Sequence, residues 1–179
     1  MIAVENNWYV ITGAPHSGKT SVLELLEKMG YRVIYEAARI YIDQEISKGC
    51  AIEEIRKDEI EFQRGILKTK IEIEKSLPKG EIIFFDRAIP DTHAYYKLCG
   101  IEEDEFLEKE MSDCLYRKVF LFEPLDYEKD YARTESRAQQ AKLHSLLEES
   151  YKKVDATIVK IPALGSKKER LKFILKNIT

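Results

Sequence analysis

The sequence predicts an α/β fold, a parallel sheet with helices on both faces, and three observations point to it. Short apolar runs alternate with longer amphipathic ones along the chain, the pattern of strand–helix–strand units. The apolar runs WYVIT, IIFFD, VFLF and TIVKI are nearly continuous rather than alternating, as strands covered on both faces are. At 179 residues the chain has the length of a single domain and can bury a core without metals or disulfides.

The elements follow in order. A strand at 8–12 (WYVIT) leads through a glycine-rich turn into a helix at 19–29, and a strand at 32–35 leads into a helix at 37–48. A long helix is predicted over 52–77, where Ile52, Ile55, Phe62, Ile66, Ile73 and Leu77 recur at mostly helical spacing until Pro78-Lys79-Gly80 ends it. The strand at 82–86 (IIFFD) precedes helices at 91–98 and 103–114, and VFLF falls in a strand at 118–122. A helix at 138–151, a strand at 157–161 and a helix at 167–176 complete the domain, taken as 1–179. The polar stretch 126–140 carries Lys129, Arg133 and Arg137 among acidic residues. It reads either as a solvated connection or as a mobile lid.

Composition narrows the function. Charged residues are 34% and apolar residues 44%, with the charges interspersed as on exposed helix faces. A net charge of −3 gives no electrostatic footprint for nucleic acid. Cys50, Cys99 and Cys114 form no CxxC pair and read as reduced thiols of a cytoplasmic protein. No uncharged apolar stretch reaches membrane-spanning length, and the first residues read as a strand rather than a signal segment. A small-molecule partner is expected, with neither nucleic acid nor membrane, in a monomer or a homodimer.

The chemistry begins at Gly13-Ala14-Pro15-His16-Ser17-Gly18-Lys19-Thr20, a GxxxxGKT run between a strand and the helical SVLELLEKM. That context marks a phosphate-binding loop. Gly13 and Gly18 permit the tight turn, and successive backbone N–H groups then face phosphate oxygens at a helix N-terminus. Lys19 reaches the β- and γ-phosphates, and the Thr20 hydroxyl ligates Mg²⁺. The nucleotide contacts are therefore Gly13 through Ser21, with His16 a loop position given no chemistry of its own. A glycine-rich turn with a purely structural role leaves Lys19 unexplained.

Asp86 ends the strand IIFFD, where a carboxylate helps hold Mg²⁺ beside the phosphate loop. The next residue is Arg87, not the glutamate with which many ATPases activate water, and neither DxxG, NKxD nor LSGGQ occurs. An arginine suited to an anion favours phosphoryl transfer to an organic acceptor over hydrolysis. Glu36, in YEAAR after the second strand, falls at the carboxyl end of the sheet, where ligands bind in such folds. It reads as a general base or substrate ligand, or alternatively as an acid capping the next helix. Arg39, one turn further on, faces the same cleft or solvent. Arg133 and Arg137, four apart, share a helix face and close over phosphates, or pair with Glu128, Asp130 and Glu135. Arg133 is the stronger of the two for a catalytic role.

GAPHSGKTS, YEAAR, FFDRAIPDTHAYY and DYARTESRAQQAKLHSLLEESY together resemble the AAA-like P-loop family that includes the ribosylnicotinamide kinase domain of bifunctional NAD-biosynthesis regulators. More distantly the layout resembles deoxynucleoside and thymidylate kinases, over nearly the whole chain. The resemblance implies a P-loop NTPase fold with a five-stranded parallel sheet of order 2-3-1-4-5, ATP with Mg²⁺, and a lid carrying Arg133. The acceptor pocket then falls between the 52–77 helix and the segment 88–96. Gln63, Asp91, Tyr95 and Tyr96 offer it polar and aromatic surfaces, although Phe62, Tyr95 and Tyr96 also suit core packing. Ile161-Pro162-Ala163 is a weaker candidate for contact with the nucleotide base. The expected function is transfer of the γ-phosphoryl of ATP to a hydroxyl of a nucleoside-like molecule. A nucleotide-dependent switch, binding ATP or GTP without an acceptor, is the competing class, and a standalone NTPase the third.

Overall fold

A computed structural model describes residues 6–125, 134–163 and 165–178. Five strands alternate with helices: β1 (Trp8–Gly13), α1 (Lys19–Lys28), β2 (Arg32–Ile34), α2 (Ala37–Ser47), α3 (Ile52–Ile55), α4 (Glu59–Ser76), β3 (Ile83–Asp86), α5 (Ile89–Cys99), α6 (Glu105–Ser112), β4 (Lys118–Phe122), α7 (Thr134–Lys153), β5 (Ile158–Ile161) and α8 (Lys167–Leu175). The sheet has the order β2-β3-β1-β4-β5, with every pair parallel. This is the order that the resemblance implies.

Alternation along each strand builds two cores. Tyr9, Ile11, Phe84, Phe120 and Phe122 face one side, against Val22, Leu23 and Leu26 of α1 and Ile174 of α8. Trp8, Val10, Ile83, Phe85 and Val119 face the other, against Leu77, Tyr116 and Tyr151. β1 is buried along its whole length, which explains the unbroken apolar runs. Among the described residues no helix is long and apolar enough to cross a membrane.

Several boundaries differ from the sequence expectation. The helix expected over 52–77 is two, α3 and α4, because the Asp58 carboxylate accepts hydrogen bonds from the backbone of Ile60 (3.0 Å) and Glu61 (3.2 Å). Such an N-cap starts a new helix, and Ile52 is left exposed rather than on the apolar face. α5 begins at Ile89 instead of 91, since Asp91 accepts from the Ala88 N–H and boxes the start, with Pro90 in the first turn. α7 begins at Thr134 instead of 138, so the stretch 134–140, expected as part of a lid, belongs to a long helix. The rest of that stretch, with Arg133, lies outside the described residues.

Candidate active site

The phosphate loop joins β1 to α1 at the carboxyl end of the central strand. Its two glycines are there for different reasons. Gly13 has φ +145°, and a Cβ would stand 2.7 Å from the Phe122 carbonyl oxygen. Gly18, the left-handed N-cap of α1 at φ +83°, would bring a Cβ within 2.4 Å of the Arg170 guanidinium. Either contact is closer than atoms tolerate, and both φ values favour glycine. His16 also takes a positive φ, 61°. Arg170 of α8 is buried, donates from Nη1 to the Ser17 carbonyl (2.8 Å) and lies over the Phe122 ring at 5.9 Å. The C-terminal helix thus supports the loop from beneath.

Lys19 opens α1 with only 7% of its surface exposed. Its ammonium donates to the Ala14 carbonyl (2.8 Å) and to Ser17 Oγ (3.1 Å). Burial, reinforced by the Arg87 charge, lowers its pKa to about 7 despite opposing attraction from Asp86, Asp91 and Glu36. Asp86, opposite Ile11 on β1, is also buried. Desolvation pushes its pKa up to about 6, with Arg87 opposing and Glu36 adding to the rise. The loop's Thr20 is exposed and Ser21 half-buried.

Arg87 organises the acidic side of the site. It follows β3 in a left-handed conformation, φ 67°, and its N–H donates to the Ile11 carbonyl (3.0 Å). For a residue with a Cβ this costs about 1 kcal/mol or more. The turn buries the guanidinium, which meets Glu36 at 3.5 Å and Asp91 at 3.1 Å and lies 5.6 Å over the Tyr95 ring. Burial pulls its pKa down, but Tyr95, Asp91, Glu36 and Asp86 together hold it above the ordinary arginine range.

Glu36 sits at the N-cap of α2, yet its side chain makes no capping hydrogen bond. The carboxylate thus sits at the positive end of the α2 dipole without a capping hydrogen bond of its own. Its half-exposed carboxylate lines a cavity of about 410 Å³ with Pro15 of the phosphate loop, Phe62, Gln63 and Lys70 of α4, Arg87 and Tyr95. That volume lies in the range of small-molecule sites. Gln63 is buried and its amide donates to Glu59 (2.8 Å).

Three expected site residues fall elsewhere. Asp91, expected in the acceptor pocket, is fully buried and outside the cavity lining. One of its oxygens accepts from Thr12 (2.6 Å) and Arg87, the other from the Ala88 N–H (3.0 Å) and the Tyr151 hydroxyl. Burial alone would raise its pKa, but Arg87, Lys70 and these hydrogen bonds hold it below the usual value. Its contacts fix Arg87 and the start of α5, and none of them faces the cavity. Tyr96 is core, packed with Leu67 and Leu107, whereas Tyr95 reaches the cavity. Arg39 is exposed on α2 and does not line the cavity. Arg137 is exposed on α7. Ile161 is buried at the end of β5, with Pro162 and Ala163 exposed beyond it.

Sequence reasoning missed Thr12, Arg56, Lys70, Tyr151 and Arg170. Lys70 was within reach, because it falls seven residues after Gln63 and so on the same face of a predicted helix. Arg170, 153 residues from Ser17, carried no local signal.

Comparison with known proteins agrees with this geometry. The family model described as an AAA domain matches residues 8–170. No individual curated protein matches the chain. Among solved structures, the thymidylate kinase of Ehrlichia chaffeensis is similar with a TM-score of 0.64 at 14% identity, covering 97% of this chain and 98% of that one. The deoxyadenosine kinase of M. mycoides, solved with dCMP and dCDP, gives 0.62 at 17% identity over 96% and 98%. The thymidylate kinase of Candida albicans gives 0.63 at 16% over 97% and 91%. At these identities the likeness establishes the fold, that of P-loop nucleotide kinases.

Proposed function

The chain belongs to the AAA domain family, and on that footing we propose that it is a phosphotransferase, moving the γ-phosphoryl group of ATP to a hydroxyl of a small nucleoside-like molecule. The observation that carries this reading is a single cavity bounded by Pro15 of the phosphate loop and by Glu36. Glu36 is aimed by Arg87 and not spent on its own helix. Similarity in fold to kinases of thymidylate and deoxyadenosine supports an acceptor of nucleoside size.

Each residue then has a task. The loop's N–H groups and Lys19 bind the phosphates, and the cradle fits them because Gly13 and Gly18 leave out the side chains that would fill it. Thr20 and Asp86 are the residues that would hold Mg²⁺, whose chemistry is to neutralise charge on the phosphates. Glu36 accepts the hydroxyl proton as the acceptor oxygen bonds to the γ-phosphorus. The bond from that phosphorus to the bridging oxygen breaks, and ADP leaves with the electron pair. Arg87, fixed by Asp91, keeps the Glu36 carboxylate in place through this step.

The test is a panel of nucleosides and related metabolites scored by acceptor-dependent ADP formation. Glu36→Gln should retain nucleotide affinity while transfer falls by about 10²–10⁴-fold. Asp86→Asn should weaken Mg²⁺-dependent binding as well. Phosphate release without any acceptor would replace this function with an NTPase, and nucleotide binding with neither outcome would replace it with a switch.

A further inference from the structure

The cavity beside Glu36 holds more positive charge than its visible partners use. Arg87 is accounted for by Glu36 and Asp91. Lys70 is not. It rises from the same face of α4 as Gln63 and Ile66, at 6% exposure, and lines the cavity with them. Its ammonium donates to the Ala88 carbonyl (2.8 Å) and to Thr92 Oγ1 (2.9 Å), both uncharged. Two of its three N–H donors are used, and among the described residues no carboxylate lies within ion-pair distance. Burial, with the Arg87 charge, pushes the Lys70 pKa down, while Asp91, Glu36 and Glu74 oppose this from beyond ion-pair distance. At the mouth of the same cavity Arg56 lies 5.4 Å over the Phe62 ring, again with no ion pair among the described residues.

We propose that this cavity selects acceptors carrying an anionic group, a phosphate or a carboxylate, in addition to the hydroxyl, and that Lys70 and Arg56 recognise that group. The proposal rests on the reading that the cavity holds the acceptor. The anion takes the third Lys70 donor and sets an opposite charge in direct contact with the buried ammonium. Arg56, over the Phe62 ring, closes over it from the solvent side with several donors still open. Gln63 and Tyr95 are left to face the uncharged part of the molecule. A neutral nucleoside leaves both cations as they are and so binds less tightly.

The experiment measures binding of matched nucleosides, their 5′-monophosphates and their 5′-carboxylates, at saturating Mg²⁺ and ADP so that the phosphate loop is already filled. The wild type should bind the anionic members at least about tenfold more tightly than the nucleosides. Lys70→Gln, which keeps a donor toward Ala88 and Thr92, should erase that preference by weakening the anionic members far more than the nucleosides. Arg56→Gln, on an exposed residue that cannot unfold the core, should reduce the preference by about threefold to tenfold. Preference for phosphate over carboxylate, or the reverse, identifies which anion the site was built for. Equal affinity for neutral and anionic members, or variants that weaken both alike, would overturn the proposal. The kinase reading is scored separately by ADP formation from ATP. Anion-selective binding without transfer refutes the kinase reading and keeps Lys70 and Arg56 only as the anion site of a bound ligand, whereas equal transfer to neutral and anionic members by all three proteins keeps the kinase reading and overturns this one.

Discussion

Nucleotide binding should be accompanied by proton uptake, because the lysine that meets the phosphates is held near neutrality beforehand. With the Lys19 pKa lowered to about 7 by burial and by Arg87, only about one ammonium in ten is protonated at about pH 8. Contact with a polyphosphate replaces that environment with an opposite charge, which raises the pKa by about two units or more and protonates nearly all of them. Lys19 itself should therefore take up about 0.8–0.9 of a proton at about pH 8 and only about 0.1 at about pH 6, since it is already charged there. Asp86, with its pKa at about 6, is ionised at the higher pH and adds nothing. At the lower pH it should release about half a proton when Mg²⁺ is held. The assay is titration calorimetry with a non-hydrolysable ATP analogue and Mg²⁺ in buffers of matched pKa and different ionisation enthalpy. The slope of observed enthalpy against buffer enthalpy counts the protons. Lys19→Arg keeps the charge and does not titrate, so its uptake at about pH 8 should vanish. A zero slope for the wild type, or an undiminished slope in the variant, would refute the argument.

Other outcomes follow from the same geometry. Gly18→Ala should destabilise the protein by about 1–3 kcal/mol and remove nucleotide binding, since the methyl group overlaps the Arg170 guanidinium at φ +83°; urea unfolding and calorimetry read both. Glu74 accepts from the Tyr116 hydroxyl (2.8 Å), and burial raises its pKa from 4.5 to about 7. The folded state therefore holds the extra proton, and stability falls as pH rises from 4.5 through about 7. Glu74→Gln should abolish this loss and be the more stable protein at about pH 8, by about 3 kcal/mol, in denaturation curves at both pH values. Asp91→Asn should unfix Arg87 and lower the transfer rate with little change in nucleotide affinity, because Asp91 contacts Arg87 and not the cavity; steady-state kinetics beside calorimetry separates the two.

Much of this site was legible in the sequence because its chemistry is local. The phosphate loop is a contiguous run whose glycines, lysine and threonine are each required by one turn. Asp86 and Glu36 were findable because parallel strands deliver their carboxyl ends to one cleft. What the sequence did not show is how the charges pair. Asp91 has the composition of a substrate ligand, but Thr12, Arg87 and Tyr151 come from three other parts of the chain to saturate it. Tyr95 and Tyr96 are neighbours in sequence, and the helical advance of about 100° per residue sends one to the cavity and the other to the core. The break at Asp58 was hidden because the apolar spacing continues across it, while the cap is a single side chain.

The strut from α8 to the phosphate loop also sets the order in which the protein becomes competent during synthesis. The loop leaves the ribosome before α8, and the guanidinium that supports it follows 153 residues later. At ordinary elongation rates that is a gap of roughly ten to thirty seconds. Throughout it the nascent chain holds every phosphate-binding residue of the loop without the buttress beneath Gly18. Nucleotide can therefore act as a folding ligand only once α8 has docked. From that moment binding stabilises the native state by mass action, and it rewards only chains in which the phosphate loop and α8 have met.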